Sequence, residues 1–151
     1  MTNLSKGINQ WVKCTPDYIQ RLADGTTFDN RKAPKDKRIT CEVRVLNHEQ
    51  KSNYLSLVKT ATNVNEAKEL SLETEKAVIA DNVRNFTNLE YDDENGKSHP
   101  VITGEDFYTT QTDKFVTYIG DIIMQDLPLK PDKLDEEGNI IEEGDEKNSE
   151  G

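Results

Sequence analysis

The stretch that decides the fold is SLETEKAVIADNVRNFTNLEY, residues 71–91, followed by the acidic turn DDENGK, residues 92–97. Ser71 is a suitable N-cap, because its hydroxyl can accept a hydrogen bond from an amide of the first helical turn. The apolar side chains recur at helical spacing and form one stripe, made of Leu72, Ile79, Val83 and Phe86. The pattern therefore predicts an amphipathic helix over 72–86 that leads into an apolar arm and a tight turn.

The clearest strand precedes this helix. Residues 39–46 place the apolar Ile39, Cys41, Val43 and Val45 in alternation with polar residues, which gives one apolar and one polar face. Such a strand needs paired neighbours and a helix over its apolar face. The chain before it offers a short strand at 10–14, so we expect a small N-terminal sheet.

Shorter signals lie between these two strands. Pro16 suits the first turn of a helix, so we predict a helical turn that carries Tyr18, Ile19 and Leu22. Asp24-Gly25 predicts a turn, and residues 26–28 are expected to begin a strand.

Two further helices are indicated by their N-terminal caps. Asn47, with Gln50 three residues later, is close to a capping box and predicts a helix over 48–60. Thr112 is expected to cap a helix over 113–125. Its apolar side chains recur at steps of three and four residues: Phe115, Val116, Ile119, Ile122 and Ile123.

Between the last two long helices, residues 89–102 predict a small hairpin around Asn95-Gly96, with Pro100 restricted to an edge position. Thr103 then opens a short helix at 105–108. The sequence thus predicts an α+β fold, in which a small N-terminal antiparallel sheet is packed by three to four helices. Residues 1–131 are expected to form one domain with a loose N-terminus.

The charge of the chain is concentrated at its C-terminal end. The 151 residues carry a net charge of −10, of which residues 132–151 contribute −7 with nine acidic and two basic side chains. A segment with so little apolar surface cannot offset its ordering entropy, so 132–151 is predicted to be a disordered acidic tail. Its apolar pair, Ile140-Ile141, could be a short partner-binding motif.

No catalytic, cofactor or metal signature is present in the sequence. With two histidines, His48 and His99, and no Cys-x-x-Cys pair, a structural zinc site is not expected. Cys41 is interpreted as a small buried hydrophobe. The even number of cysteines is the only argument for a disulfide between Cys41 and Cys14. We expect a soluble, cytosolic, reduced protein without a membrane span, and not an enzyme.

The basic loop at 31–38 carries five basic residues and one acidic residue. It could contact phosphate, an acidic partner surface or the acidic tail of the same chain. A solvated loop is the preferred interpretation, because no aromatic side chains are interleaved for base stacking. Nucleic-acid binding is therefore not expected.

The order of these elements resembles the tail assembly chaperones of long-tailed bacteriophages. The similarity covers about residues 39–127: an alternating strand, a capped helix, the Ala- and Val-rich helix, the arm FTNL at 86–89, the turn DENGK at 93–97, the segment PVI at 100–102 and a final helix. The Trp-x-Gly that is often found in the arm of that family is absent here.

The resemblance implies a non-catalytic protein of the host cytoplasm. Such chaperones bind the tape measure protein, keep its long apolar helices soluble and help to recruit tail tube subunits. A longer, frameshifted form often exists in the family. Self-association is a further possibility that the resemblance leaves open.

Partner binding would use the apolar stripes of the two long helices. The candidate residues are Leu72, Ile79, Val83, Phe86, Phe115, Ile119 and Ile122. The same stripes explain an ordinary core, which is the preferred interpretation for each single residue. Two alternatives stay open: a structural tail or head-completion subunit of a virion, and an acidic inhibitor that mimics nucleic acid. The net charge of −3 on residues 1–131 argues against the second.

Overall fold

A computed structural model describes residues 1–125 together with the backbone of 133–134 and 140–141. The fold is α+β, as predicted, with small antiparallel sheets and four α-helices. The strands are β1 (Trp11–Cys14), β2 (Ile19–Arg21), β3 (Thr27–Asp29), β4 (Thr40–Arg44), β5 (Val83–Thr87), β6 (Glu90–Asp92), β7 (Ser98–Pro100), β8 (Lys133–Leu134) and β9 (Ile140–Ile141). The helices are α1 (His48–Ser56), α2 (Val64–Asn82), α3 (Gly104–Thr110) and α4 (Asp113–Met124).

The base of the fold is an antiparallel sheet with the strand order β1-β4-β5. Strand β4, predicted from its alternation, lies in the centre and pairs Cys41 with Cys14 of β1 and Val43 with Val83 of β5. Cys41 and Val43 are fully buried, so the apolar face of β4 is turned toward the core. The predictions of the strand at 39–46 and of the short strand before it are confirmed.

The helix predicted over 72–86 is wrong at both ends. It starts at Val64, because the side chain of Asn63 rather than Ser71 accepts the capping hydrogen bond, from the Glu66 amide at 2.8 Å. It ends at Asn82, because the next five residues leave the helix and form β5, the second neighbour of β4.

A β-bulge explains why β5 has the spacing of a helix. Asn85 has a positive φ of 54°, and the register between β4 and β5 shifts between Thr40 and Glu42. The extra residue of the bulge turns both Val83 and Phe86 into the core, although they are three positions apart. In a regular strand, side chains three positions apart would lie on opposite faces.

The helical turn predicted after Pro16 is also wrong. Residues 19–29 form a hairpin in which β2 and β3 pair around the predicted turn, where Gly25 has a φ of 88°. The fully buried Asn30 holds this hairpin in place, because its amide donates to the carbonyl oxygens of Pro16 and Ile39 at 2.8 and 2.9 Å. Ile19 is consequently half-exposed rather than part of an apolar helix face.

The predicted caps of the other helices are confirmed. Asn47 and Gln50 form a full capping box on α1, and Thr103 with Asp106 forms another on α3. Thr112 caps α4 by accepting from the amide of Phe115. Helix α1 ends at Ser56, four residues before the predicted end, and a 3-10 turn (Val58–Thr60) follows it.

Aromatic side chains connect the sheet, the hairpin and the helices. Phe107 stacks on Phe86 with the ring centroids 4.6 Å apart, and Phe115 meets Phe107 edge-on at 4.8 Å. Tyr18 stacks on the other side of Phe115 at 4.0 Å. Strand β5, helices α3 and α4, and the N-terminal segment at Tyr18 therefore share one core.

The predicted hairpin at 89–102 is confirmed as β6 and β7. The carboxylate of Asp93 accepts from the amides of Asn95 and Lys97, and its second oxygen lies 2.8 Å from Nε2 of His99. These hydrogen bonds lower the pKa of Asp93, with the bond from His99 as the largest cause. Gly96 adopts the positive φ that the turn requires.

The predicted disordered tail lies outside the described residues, apart from β8 and β9, which pair antiparallel with Leu134 opposite Ile140. Within the described part of the chain, no helix combines the length and the hydropathy needed to cross a membrane.

Candidate functional site

Five of the seven candidate partner-binding residues lie in the core. These are Ile79, Val83, Phe86, Phe115 and Ile119, each at most 4% exposed. Ile122 is partly buried against the same core, and Leu72 is 60% exposed. The five buried side chains hold α2, β5 and α4 together, so they are inaccessible to a partner in this conformation. Partner binding through them stays a prediction that would require the helices to separate.

A different surface, the groove between α2 and α4, is open to a partner. It has a volume of about 210 Å³ and is closed on one side by the end of α1 and the 3-10 turn that follows it. We call it the α2–α4 groove. It is lined by Leu55, Val58, Ser71, Thr74, Glu75, Val78, Thr117, Gly120, Asp121 and Met124.

The two helices line this groove with identical spacing. Each supplies residues at positions i, i+3, i+4 and i+7, beginning at Ser71 in α2 and at Thr117 in α4. Such residues share one face of a helix. At 1.5 Å per residue, the groove runs for about 10 Å, or two helical turns. Each helix thus has one face in the core and a neighbouring face along the groove.

Gly120 lies in the middle of α4 and keeps the groove open. A Cβ atom at this position would meet a single heavy atom, Cδ1 of Ile79, at the ordinary contact distance of 3.9 Å. Packing within the chain therefore does not require glycine here. Glycine inside a helix costs about 1 kcal/mol relative to alanine, so this residue lowers stability while it leaves space between the helices.

Apolar side chains form much of the remaining wall. Leu55 is 51% exposed at the edge of the groove, while Val58 and Met124 are partly exposed and Val78 is buried below them. A half-exposed leucine beside other apolar side chains offers area that a partner can remove from water.

Thr74 is an unusual polar residue of the groove. It is only 7% exposed, and its hydroxyl oxygen has no hydrogen-bond partner within the described part of the chain. An unpaired buried hydroxyl costs about 1–3 kcal/mol. Thr74 and Gly120 therefore each lower the free energy of unfolding, compared with an apolar residue at 74 and an alanine at 120.

Carboxylates from both helices lie along the groove, Glu75 in α2 and Asp121 in α4. Burial raises the pKa of Glu75, and the charges of Asp113 and Asp121 raise it further. The pKa of the Tyr108 phenol is raised by burial and then by Glu75 and Asp113. The groove therefore combines an apolar wall with a negatively charged rim.

A buried polar network positions α1 beside the groove. Asn82, fully buried at the end of α2, accepts from Nε of Arg44 at 2.9 Å and donates to the Tyr54 hydroxyl at 3.1 Å. Tyr54 in turn donates to Asp81 at 2.7 Å. Its pKa is raised, first by burial and second by the bond to Asp81. Since Leu55 follows Tyr54 in sequence, this network fixes the wall of the groove.

The basic loop at 31–38 is held by the fold at its C-terminal end. Arg38 is 4% exposed, and its Nε donates to the carbonyl oxygen of Ala33 at 2.9 Å. The side-chain amide of Asn88 donates to the carbonyl oxygens of Asp36 and Arg38. Arg38 therefore serves the packing of the loop, while Lys32, Lys35 and Lys37 are exposed and Arg31 is partly exposed.

The cysteines and histidines form no metal centre in the described residues, where no group of three or more candidate ligands lies together. Cys41 is buried as predicted, and its thiol lies 3.7 Å from that of Cys14. Both are present as thiols.

Comparison of the chain with protein family models, curated proteins and solved structures gives no match.

Sequence reasoning missed the groove because its residues lie on the less apolar faces of α2 and α4. One signal was present: Gly120 lies inside α4, between Ile119 and Asp121, without ending the helix. A glycine in such a position indicates a packing or functional reason.

Proposed function

We propose that this chain is a non-catalytic tail assembly chaperone of a long-tailed bacteriophage, and that its α2–α4 groove holds an apolar helix of the tape measure protein. The observation that carries the proposal is the open apolar groove with Gly120 in its wall. Proteins that bind amphipathic helices commonly place the apolar face of the helix in such a groove.

The dimensions of the groove fit a helical segment. Its length of about 10 Å accepts two turns of helix, and side chains at i, i+3, i+4 and i+7 of the partner could follow the same spacing in α2 and α4. Leu55 and Val58 would then cover the partner from the side. Binding by repeated two-turn segments suits a very long helical partner, because many copies can bind along it.

The resemblance adds the biological setting. The strand β4, the capped helix α1, the turn around Asn95-Gly96 and the last helix α4 follow one another in the order found in the tail assembly chaperones. That similarity is the basis for proposing the tape measure protein as the partner, recruitment of tail tube subunits as the next step and the host cytoplasm as the location. Self-association also belongs to this proposal.

The acidic tail suits a solubilising role. Residues 132–151 carry −7 of the net charge of −10. Like charges on copies bound along one partner repel each other and keep the complex in solution.

Co-expression tests the proposal. The chain is produced together with the tape measure protein of its own genome, and the soluble fraction is analysed by size exclusion with light scattering. Two variants carry the same change at half-exposed leucines: Leu55→Asp in the groove and the matched control Leu22→Asp in the β2–β3 hairpin.

We expect wild type and Leu22→Asp to keep the tape measure protein soluble in a common peak, and Leu55→Asp to lose this complex. The proposal is overturned if the tape measure protein precipitates with wild type present. It is equally overturned if Leu55→Asp, folded by circular dichroism, retains the complex at the wild-type level.

A further inference from the structure

The two charged side chains that line the α2–α4 groove are both acidic. Glu75 and Asp121 line it, and Asp113 at the first turn of α4 lies close enough to act on Glu75. The rim carboxylates come from both helices, so any helix that enters the groove has acidic groups on either side.

Glu75 is the carboxylate most affected by this arrangement. It lies next to the buried Thr74 and is itself partly buried, and both burial and the two aspartates disfavour its charged form. A cation placed above the groove would relieve that repulsion, because an opposite charge stabilises the ionised carboxylate.

We propose that the groove selects an amphipathic helix whose apolar stripe is flanked by lysine or arginine residues, which face Glu75, Asp113 and Asp121. This inference rests on the proposed function and names the chemistry of the partner helix. Burial of the apolar wall contributes to affinity, and the carboxylates give specificity between helices of similar hydrophobicity.

Charge also argues against two other occupants. The apolar pair Ile140-Ile141 of the chain's own tail is followed by Glu142 and Glu143, so its docking would add like charges to the rim. A second copy that docks by two-fold symmetry would bring the groove of one copy against the groove of the other. Glu75 of one copy would then face the rim carboxylates of the other, which repel it. A basic helix is the occupant that the rim charge favours.

Three synthetic helical peptides test the inference. Each peptide is 18 residues long and carries the same leucine stripe at i, i+3, i+4 and i+7. The peptides differ only at the positions that flank this stripe, which are lysine, glutamine or glutamate. Affinity for the full chain is measured by fluorescence anisotropy at low and high salt. With three rim contacts of modest strength, the lysine peptide should bind about tenfold more tightly than the glutamine peptide at low salt.

Two variants distinguish the effect of the rim carboxylates from that of the overall negative charge of the chain. Glu75→Gln removes a rim carboxylate, and the control Glu73→Gln removes an exposed carboxylate of the same helix outside the groove. We expect Glu75→Gln to reduce the preference for lysine about threefold and Glu73→Gln to leave it unchanged. High salt should lower the affinity of the lysine peptide and leave that of the glutamine peptide nearly unchanged.

The outcomes distinguish the two proposals. If the lysine and glutamine peptides bind equally, or if Glu73→Gln acts as strongly as Glu75→Gln, the charge selection is refuted while helix binding stands. If none of the three peptides binds, helix binding in the groove is itself refuted, and the inference falls with it.

Discussion

Replacing Gly104 with alanine tests the close packing of α3 on α2. A Cβ atom at this first residue of α3 would lie 2.4 Å from the carbonyl oxygen of Ile79 and 2.7 Å from that of Val83. The shorter distance is about 1 Å below ordinary contact, and both neighbours are backbone atoms that cannot rotate away. Overpacking of this kind costs about 1–3 kcal/mol, and the better helix propensity of alanine returns part of it.

We therefore expect Gly104→Ala to lower the free energy of unfolding by about 2 kcal/mol, which corresponds to a fall in Tm of about 6 °C for a chain of this size. Urea and thermal unfolding followed by far-UV circular dichroism measure both values. Gly120→Ala is the matched control, because its Cβ meets nothing closer than 3.9 Å and should stabilise α4 by about 1 kcal/mol. A Gly104→Ala protein as stable as wild type would refute the described approach of α3 to the last turn of α2.

Three further substitutions give results of different sign. Thr74→Val removes the buried hydroxyl without a hydrogen-bond partner in the described residues, so it should raise stability by about 1 kcal/mol in urea unfolding; a loss of stability would contradict this reasoning. Glu75→Gln should raise Tm at pH 7, because the folded state raises the pKa of this carboxyl and so disfavours its charged form. The gain in Tm should disappear as the pH falls below the ordinary pKa of 4.5, where the carboxyl is neutral in both states. A gain that persists at pH 3 would contradict the pKa shift. Asn82→Ala should cost about 2 kcal/mol, because it leaves Arg44 and Tyr54 without their buried partner, whereas a neutral effect would show that the network is not needed.

The sequence predicts those parts of the fold that depend on local chemistry. Asn47, Thr103 and Thr112 each cap the helix that follows, because a short polar side chain can satisfy an amide of the first turn wherever the remainder of the chain lies. The alternation of β4 likewise predicts its buried face.

The parts that could not be predicted depend on distant partners. Val83 and Phe86 have helical spacing, and only pairing with β4 and the bulge at Asn85 turn them into a strand. The sequence predicts a helical turn at Tyr18, since it does not show that Asn30 anchors the hairpin through carbonyl groups 14 and 9 residues away.

The candidate site shows the same limit. The sequence predicts partner surfaces on the apolar stripes at 72–86 and 115–122, but tertiary packing uses all of their candidate residues except Leu72 for the core. The groove arises where two less apolar helix faces meet, and only Gly120 marks it in the sequence.

Methyl spectroscopy of the methionines tests the central claim, that the α2–α4 groove holds a partner helix. The chain has two methionines, Met124 in the groove and Met1 at the exposed N-terminus, so ¹³C-methyl labelling gives one signal at the site and one reference. Met124→Leu assigns the signals, and the lysine-flanked peptide is then titrated into the full chain. We predict that the Met124 methyl resonance shifts and saturates with the affinity measured by anisotropy, while that of Met1 stays in place. Saturable binding by anisotropy with an unmoved Met124 resonance would contradict the account.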